Sequence, residues 1–491
     1  MDNIVLLVVL PLLAAFLMPV LARFSEVVAR VLGLSVLVFA IAIIINVWPQ
    51  VNSQATSIAI GGFMPPIGIS FYVDQVSILF ALAIPVMVLL FWPWQRKTSI
   101  REYSLMMLLT ASSSGLVLSG DLFNIYVFYE LLAVASYSLI AVQGRAVSIA
   151  ASFRYLLMGS VGSVMMLLGI AIIYTQTGTL NLAHLSLLAP LHLDNMAGLA
   201  AFALILVGMG VKAELFPVNN WVPEVYGSVS SNLAALMAGL LSKLAVIVVV
   251  RIMVLLFPQP EAMQLMAMLG ILGVITGELV AWRARDFVRM LSFSSIGQLG
   301  LIFLAFSIPG DTGMMAGIAL ALHHMVVKPA LFMLATGWSG SLENLSGVAR
   351  RSPLTVLLFV LLILSLLGIP PLPGFWAKYL LMVGLAGQDS AVYTLGMIAV
   401  PLAMIVEIAY LFRLVMIMYR KEDTVKVKAH SKWGLAIAAS AGAALIAIVL
   451  QLQPAGDKLT TLAQQLSDRN YYIMTVFPQF HTAETGMQSI K

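Results

Sequence analysis

Apolar runs too long for a soluble fold recur along nearly the whole chain. Leu6–Leu21 and residues 357–364 are two that carry no charge. A helix of about 20 mostly apolar residues crosses the hydrocarbon of a bilayer, and only helices and closed barrels satisfy their backbone there. A barrel would need short alternating segments, whereas these runs are continuous. Only 10% of the 491 residues are charged, against about 25% in soluble domains. The fold class is therefore an all-α polytopic membrane protein, placed in the cell (inner) membrane.

Apolar runs read against Gly, Pro and charge punctuation give about fourteen transmembrane helices. They fall at roughly 3–22, 27–48, 75–95, 102–120, 121–142, 150–175, 197–228, 231–257, 262–282, 286–308, 312–338, 353–386, 392–419 and 433–452. The first reads as a retained span, because no basic segment precedes it. Basic residues orient the set. Odd connections and their flanks hold Arg23 and Arg30; Arg96, Lys97 and Arg101; Arg145; Arg283, Arg285 and Arg289; Arg350 and Arg351; and Arg420, Lys421, Lys426, Lys428 and Lys432. The seventh connection is very short and has none, and the even connections hold no Lys or Arg. Basic residues mark the cytoplasmic side, so both termini are expected outside. Trp48, Trp92, Trp94, Trp282, Trp338 and Trp433 lie near span ends, as an interfacial belt would have them. The polar segment after Gln453 reads as a short peripheral appendage.

The absence of cysteine excludes disulfides, thiolate metal sites and cysteine-ligated clusters. Redox chemistry coupled to this chain is expected on another subunit. The net charge of +5 follows from membrane topology and gives no reason to expect nucleic acid.

Within the spans remain Glu130, Lys212, Glu214, Lys243, Glu278, Lys328, Lys378, Glu407 and Arg413, with His323 and His324. A charge at mid-bilayer costs about 2.5–3.5 kcal/mol on insertion scales, so such residues are functional by default. The bland alternative is a structural pair or a side chain that snorkels to the surface. It is the better reading for Arg154 and Arg251, nearer their span ends, and stands level for Glu278, Glu407 and Arg413. Burial disfavours the charged form of an amine and a nearby carboxylate favours it. A buried lysine whose partner moves can thus bind and release a proton, which arginine cannot. His324 and Lys328, four residues apart, share a helix face and suit a relay. His323 points about 100° away and is the weaker candidate.

Two spans are broken by proline. Lys212 precedes Pro217 and Pro223, and Pro370, Pro371 and Pro373 precede Lys378. Freed backbone groups are tolerated in a membrane where they line a cavity or pack in protein. Two broken helices five spans apart suggest two related halves, and an odd number of spans per half inverts the second copy.

Together these residues resemble the antiporter-like subunits shared by Mrp-type multisubunit Na+/H+ antiporters, membrane-bound hydrogenases and respiratory complex I. The resemblance covers about residues 70–420. It is carried by Gly120-Asp121-Leu122-Phe123-Asn124 through Tyr129-Glu130, by Lys212-Ala213-Glu214-Leu215-Phe216-Pro217, and by Gly239-Leu240-Leu241-Ser242-Lys243. Asp286-Phe287-Val288-Arg289, residues 324–332 and Gly368-Ile369-Pro370-Pro371-Leu372-Pro373-Gly374-Phe375 continue it. The wording looks most like the Mrp D-type subunit.

What the resemblance implies is a fourteen-helix fold with inverted repeats of spans 4–8 and 9–13 and broken helices 7 and 12. Residues 1–100 would hold spans 1–3, 101–257 the first repeat, 258–420 the second, and 421–491 the last span and tail. It pairs Glu130 with Lys212 and continues the proton path through Lys243, His324 and Lys328 to Lys378. Departures exist: Asn219 stands where relatives have histidine, the Ala-Pro that commonly opens the eighth span is missing, and Arg154 replaces a lysine. Glu214 and Glu278 are not part of the family pattern.

The expected function is a proton-translocating subunit of a multisubunit ion-pumping complex, with sodium transport left open. Expected partners are other membrane subunits, protons and lipid, with no cofactor, metal or catalytic site on this chain. The alternatives are a pumping subunit of a complex I-type NADH:quinone oxidoreductase and a stand-alone secondary transporter. A membrane enzyme would need a cluster of catalytic residues near an interface, and the sequence offers none.

Overall fold

The computed structural model describes residues 2–94, 98–335, 337–338, 340–421 and 431–478. Arg96, Lys97, Lys426 and Lys428 lie outside the described residues. The protein is an integral membrane bundle of helices. In chain order these are α1 (Leu6–Leu21), α2 (Glu26–Ser53), α3 (Gln75–Leu90), α4 (Ile100–Leu118), α5 (Leu122–Ala141), α6 (Ala146–Thr177), α7 (Leu182–His192) and α8 (Met196–Gly210). There follow α9 (Val222–Ser228), α10 (Ser231–Leu236), α11 (Ser242–Leu256), α12 (Pro260–Arg283), α13 (Phe287–Phe306) and α14 (Asp311–Ala335). The chain continues through α15 (Val348–Arg351), α16 (Pro353–Leu367), α17 (Pro373–Ala386), α18 (Ala391–Met418), α19 (Lys432–Leu450), α20 (Leu452–Ser467) and α21 (Arg469–Val476).

Ten helices among the described residues are long and apolar enough to cross a bilayer, or eleven if the bent pair of residues 342–351 and Pro353–Leu367 is one span. The others fall short for physical reasons. α3, α8, α16 and α17 have 16, 15, 15 and 14 residues, and α4 is diluted by Thr110, Ser112, Ser113 and Ser114.

Small residues set the closest helix crossings, as is usual where lipid removes the hydrophobic drive between helices. A Cβ on Gly300 of α13 would lie 2.5 Å from Val274 N and 2.6 Å from Gly270 O of α12. Likewise, a Cβ on Gly208 of α8 would lie 2.5 Å from Gly162 O of α6. Both contacts are backbone against backbone, so neither site has room for a side chain.

Two junctions have the same construction. Asp121 caps α5 through the amides of Phe123 and Asn124, and on either side of Asn181 Leu122 N donates to Leu180 O and Leu182 N to Gly120 O. Asp286 caps α13 through Arg289 N, and on either side of Ser341 Phe287 N donates to Gly340 O and Leu342 N to Arg285 O. Each cap satisfies amides that the first helical turn leaves without partners.

The connection after α2 forms a hairpin of β1 (Thr56–Ala59) and β2 (Ser70–Val73), antiparallel with Thr56 opposite Val73. Residues 452–476, which take in part of the segment read from sequence as a peripheral appendage, form α20 and α21. These helices dock on the bundle. Ala55 N donates to Tyr471 Oη at 2.8 Å, and the Tyr72 and Tyr472 rings lie 3.9 Å apart. Arg469 Nε donates to Ser186 Oγ at 2.7 Å, and Lys458 Nζ donates to Asn52 and Gln75 at 2.8 and 2.6 Å.

The tryptophan belt is also corrected in part. Trp94, Trp282 and Trp433 are exposed, but Trp92 and Trp338 are buried. Trp92 stacks on Tyr103 at 4.8 Å, and Trp338 packs between Phe287 and Phe359. Nearness to a span end says nothing about which way the ring turns.

Candidate functional site

The first break in the helices follows α8. Residues 211–221 form turns before α9, and two side-chain hydrogen bonds and one ring stack hold this stretch. Tyr129 Oη donates to Gly208 O at 2.8 Å, Trp221 Nε1 donates to Val211 O at 2.9 Å, and Tyr155 stacks on Trp221 at 3.9 Å. Lys212 is buried in this turn with its Nζ 3.5 Å from the centre of the Tyr129 ring, an attraction between cation and ring quadrupole. Its Nζ makes no hydrogen bond among the described residues. Glu130, beside Tyr129 on α5, is the carboxylate whose charge acts on Lys212. The two form no direct ion pair. Glu130 Oε1 instead accepts from Ser163 Oγ of α6.

Glu214 occupies the same break with φ +58°, a left-handed backbone rare for a residue with a side chain. Such strain persists only where surroundings enforce it. Here Tyr226 Oη donates to Glu214 Oε1 at 2.6 Å and Asn219 Nδ2 donates to its carbonyl at 3.2 Å. Ser295 of α13 stands near its carboxylate, and the charges of Lys243 and Lys328 act on it.

Lys243 follows a π-helical turn over residues 237–241, which lies between α10 and α11. Such turns recur at functional sites. Lys243 Nζ donates to Ala238 O within this turn and to Ser242 Oγ at 3.1 Å. His324 of α14 lies within electrostatic reach of Lys243 and Lys328, and neither of its ring nitrogens has a hydrogen-bond partner among the described residues. Lys328, one turn further along α14, donates to Ser294 Oγ of α13 at 2.7 Å.

The second break lies between α16 and α17. Lys378 Nζ points back across it, 3.5 Å from Leu367 O, and donates to Glu407 Oε2 of α18 at 2.8 Å. Gln298 Nε2 donates to the other oxygen, Glu407 Oε1, at 2.8 Å. Glu278 of α12 accepts from Tyr410 Oη at 2.9 Å and feels the charges of Glu407, Lys378 and Lys328.

The four lysines are all interior, at 2% exposure for Lys212, 0% for Lys243 and Lys328, and 4% for Lys378. Lys243, Lys328 and Lys378 each contact a carboxylate, a hydroxyl or a carbonyl, and Lys212 lies on the Tyr129 ring within reach of the Glu130 charge, so the arrangement can hold a proton and hand it on. His323 stands apart. It contacts Ser365 Oγ at 2.8 Å and lines a cavity of about 640 Å³ with Trp376, Ala377 and Leu459. Pro217 lies within the first break and Pro223 in the first turn of α9; Pro370 and Pro371 lie in the second break and Pro373 opens α17.

Sequence reasoning left Glu214, Glu278 and Glu407 without roles, and the structure sets all three among the lysines. Their position inside spans was the available signal. Nothing in their own chemistry marked Tyr129, Tyr226, Tyr410, Ser163, Ser294 or Gln298. The other intramembrane arginines are structural, as expected for Arg154 and Arg251. Arg154 pairs with Glu224 at 2.5 Å near the surface, and Arg251 with the buried Asp74 at 2.7 Å. Arg413, left undecided, donates to Trp282 O at 2.9 Å and caps the end of α12.

The chain is similar to known proteins along most of its length. Residues 119–405 match the family described as NADH:quinone oxidoreductase/Mrp antiporter, transmembrane. The N-type subunit of the NADH-quinone oxidoreductase of Desulforudis audaxviator is 31% identical over 436 residues, covering 85% of this chain and 86% of that one. The D-type subunit of the Na(+)/H(+) antiporter of Bacillus subtilis is also 31% identical, over 418 residues, covering 81% and 83%. A chain of the membrane-bound sulfane sulfur reductase, an archaeal respiratory membrane complex, superposes with a TM-score of 0.89 at 29% identity, over 97% of this chain and 100% of that one.

Proposed function

We propose that this chain, which belongs to the NADH:quinone oxidoreductase/Mrp antiporter membrane family, carries protons along the bilayer midplane as one subunit of a multisubunit ion-pumping complex. The observation that carries the reading is the row of buried lysines with their carboxylates: Glu130 and Lys212, then Lys243, His324 and Lys328, then Lys378 with Glu407. A proton hops between these side chains and water, and changing the separation of Glu130 from Lys212 drives it onward. Attraction between unit charges roughly 4 Å apart is about 4 kcal/mol at an effective dielectric of about 20, enough to govern whether a buried amine keeps its proton.

The fold in this reading has fourteen spans. The broken spans are α8 with α9 and α16 with α17, both termini are external, and spans 4–8 and 9–13 are inverted repeats. The matching caps at Asp121 and Asp286 support the repeat, since each opens the second helix of its half and meets the segment after the third. The partners are other membrane subunits, as in the complexes that the similar chains come from. Identity of 31% to both an N-type and a D-type subunit favours, as a second reading, a place in a quinone-reducing complex.

Purification through a tag on this chain from its native membrane, with identification of the copurifying subunits, tests the assembly. Reconstitution of that complex tests the path. Glu130→Gln and Lys212→Ala should stop proton translocation, and wild-type rates in both would refute it.

A further inference from the structure

Glu278 is absent from the residues that the family resemblance assigns, and it fills a gap in the row. Lys328 and Lys378 share no hydrogen bond, and Glu278 feels the charge of both. It is 3% exposed and forms no ion pair among the described residues. Its seat is tight: a Cβ on Gly297 of α13 would collide with Glu278 Oε1. Around that glycine, α13 presents Ser294 and Gln298, which serve the neighbouring stations. Ser294 accepts from Lys328 at 2.7 Å, and Gln298 donates to Glu407 at 2.8 Å. Gly297 and Gln298 follow Ser294 by three and four residues, so one helix face meets all three groups.

The contacts form a connected line. Lys328 Nζ donates to Ser294 Oγ, Ser294 also approaches the Tyr410 hydroxyl, and Tyr410 Oη donates to Glu278 Oε2 at 2.9 Å. We propose that Glu278 is the proton station between Lys328 and the Lys378–Glu407 pair, reached through Ser294 and Tyr410. In one transfer an ammonium proton of Lys328 moves to the Ser294 oxygen. The Ser294 proton moves to Tyr410, and the Tyr410 proton moves to Glu278. The amine and the carboxyl group end neutral, and both hydroxyls are restored. A second transfer passes the proton to the Lys378–Glu407 pair and returns Glu278 to the carboxylate.

This inference rests on the proposed proton row, so its test separates the two. The native complex is reconstituted in proteoliposomes, and proton translocation is followed with a pH-sensitive dye under the gradient or redox couple that drives the wild type. Glu278→Gln keeps the volume and an acceptor for Tyr410 but cannot exchange a proton. It should lower the rate by about tenfold or more, and Glu278→Asp, which still titrates, should recover part of the loss. The infrared difference spectrum between acidic and alkaline buffer should lose a buried carboxyl C=O band in Glu278→Gln. Wild-type rates in Lys212→Ala and Lys328→Ala would overturn the row itself. Loss of transport in those two with wild-type rate in Glu278→Gln would overturn the station alone, as would an unchanged infrared spectrum. If Glu278→Gln does not assemble, Glu278→Asp decides: a shifted C=O band with retained transport supports the station, and an unmoved band overturns it.

Discussion

Lys378 and Glu407 form an ion pair at 2.8 Å inside the bundle, with side-chain exposures of 5% and 2%. Removing one partner of such a pair leaves an uncompensated buried charge, at a cost of about 3–5 kcal/mol. Lys378→Met or Glu407→Met should therefore lower the thermal stability of the detergent-solubilised complex sharply. The double variant should recover most of it, because an apolar pair of similar volume is tolerated, yet it should not regain transport. Fluorescence-detected gel filtration after heating measures the first effect and proteoliposome assays the second.

Lys212 meets the Tyr129 ring face at 3.5 Å and has no hydrogen bond among the described residues. Arginine would keep the ring contact and the charge but cannot release a proton. Lys212→Arg should assemble normally and transport no better than Lys212→Ala. Wild-type transport in Lys212→Arg would make this residue a fixed charge and not a carrier.

Glu214 holds a left-handed backbone at φ +58° and accepts from Tyr226 at 2.6 Å. A left-handed conformation costs a residue with a side chain roughly 1–2 kcal/mol. Glu214→Gly removes that cost but strands the buried Tyr226 hydroxyl, worth about 1–3 kcal/mol when unsatisfied. The single variant should gain little or lose stability, and Glu214→Gly with Tyr226→Phe should be more stable than either single change. Glu214→Val, with its branched Cβ, should be the least stable of the set in a thermal melt.

Gly208 sets the crossing of α8 on α6, and its carbonyl is the acceptor of the Tyr129 hydroxyl. A Cβ there would meet Gly162 O at 2.5 Å and Met166 N at 2.8 Å, both backbone atoms with no freedom to turn away. Gly208→Ala should cost about 1–3 kcal/mol through overpacking. It should also slow translocation more than that loss explains, because shifting α8 moves Tyr129 relative to Lys212. A rate equal to wild type per assembled complex would separate the crossing from the site.

Much of the site was legible because a charge stands out within an apolar run. Lys212, Lys243, Lys328 and Lys378 are conspicuous for that reason, and proline marked both breaks. Their partners were not legible. Glu278 and Tyr410 are 132 positions apart, and Gln298 and Glu407 are 109 apart, on helices whose pairing no local pattern states. The expected contact of Glu130 with Lys212 was half visible: the residues are neighbours in charge, but the carboxylate is held by Ser163. The docking of α20 and α21 was not legible in the polar segment after Gln453, since an amphipathic helix names no partner until a surface is there to receive its apolar face.

The order of residues along the chain is enough to choose this protein's solvent. Runs of apolar residues leave helices in a bilayer as the only way to satisfy the backbone, and the rare charges within them are too costly to be idle. How those charges are neutralised is settled in three dimensions. Partnership between a lysine on one helix and a carboxylate, hydroxyl or carbonyl on another depends on helix rotation and crossing distance. Those are set by glycines such as Gly208, Gly297 and Gly300 meeting backbone or side chains of neighbouring helices. Charge position is a one-dimensional property of the chain, and charge pairing is a property of its packing.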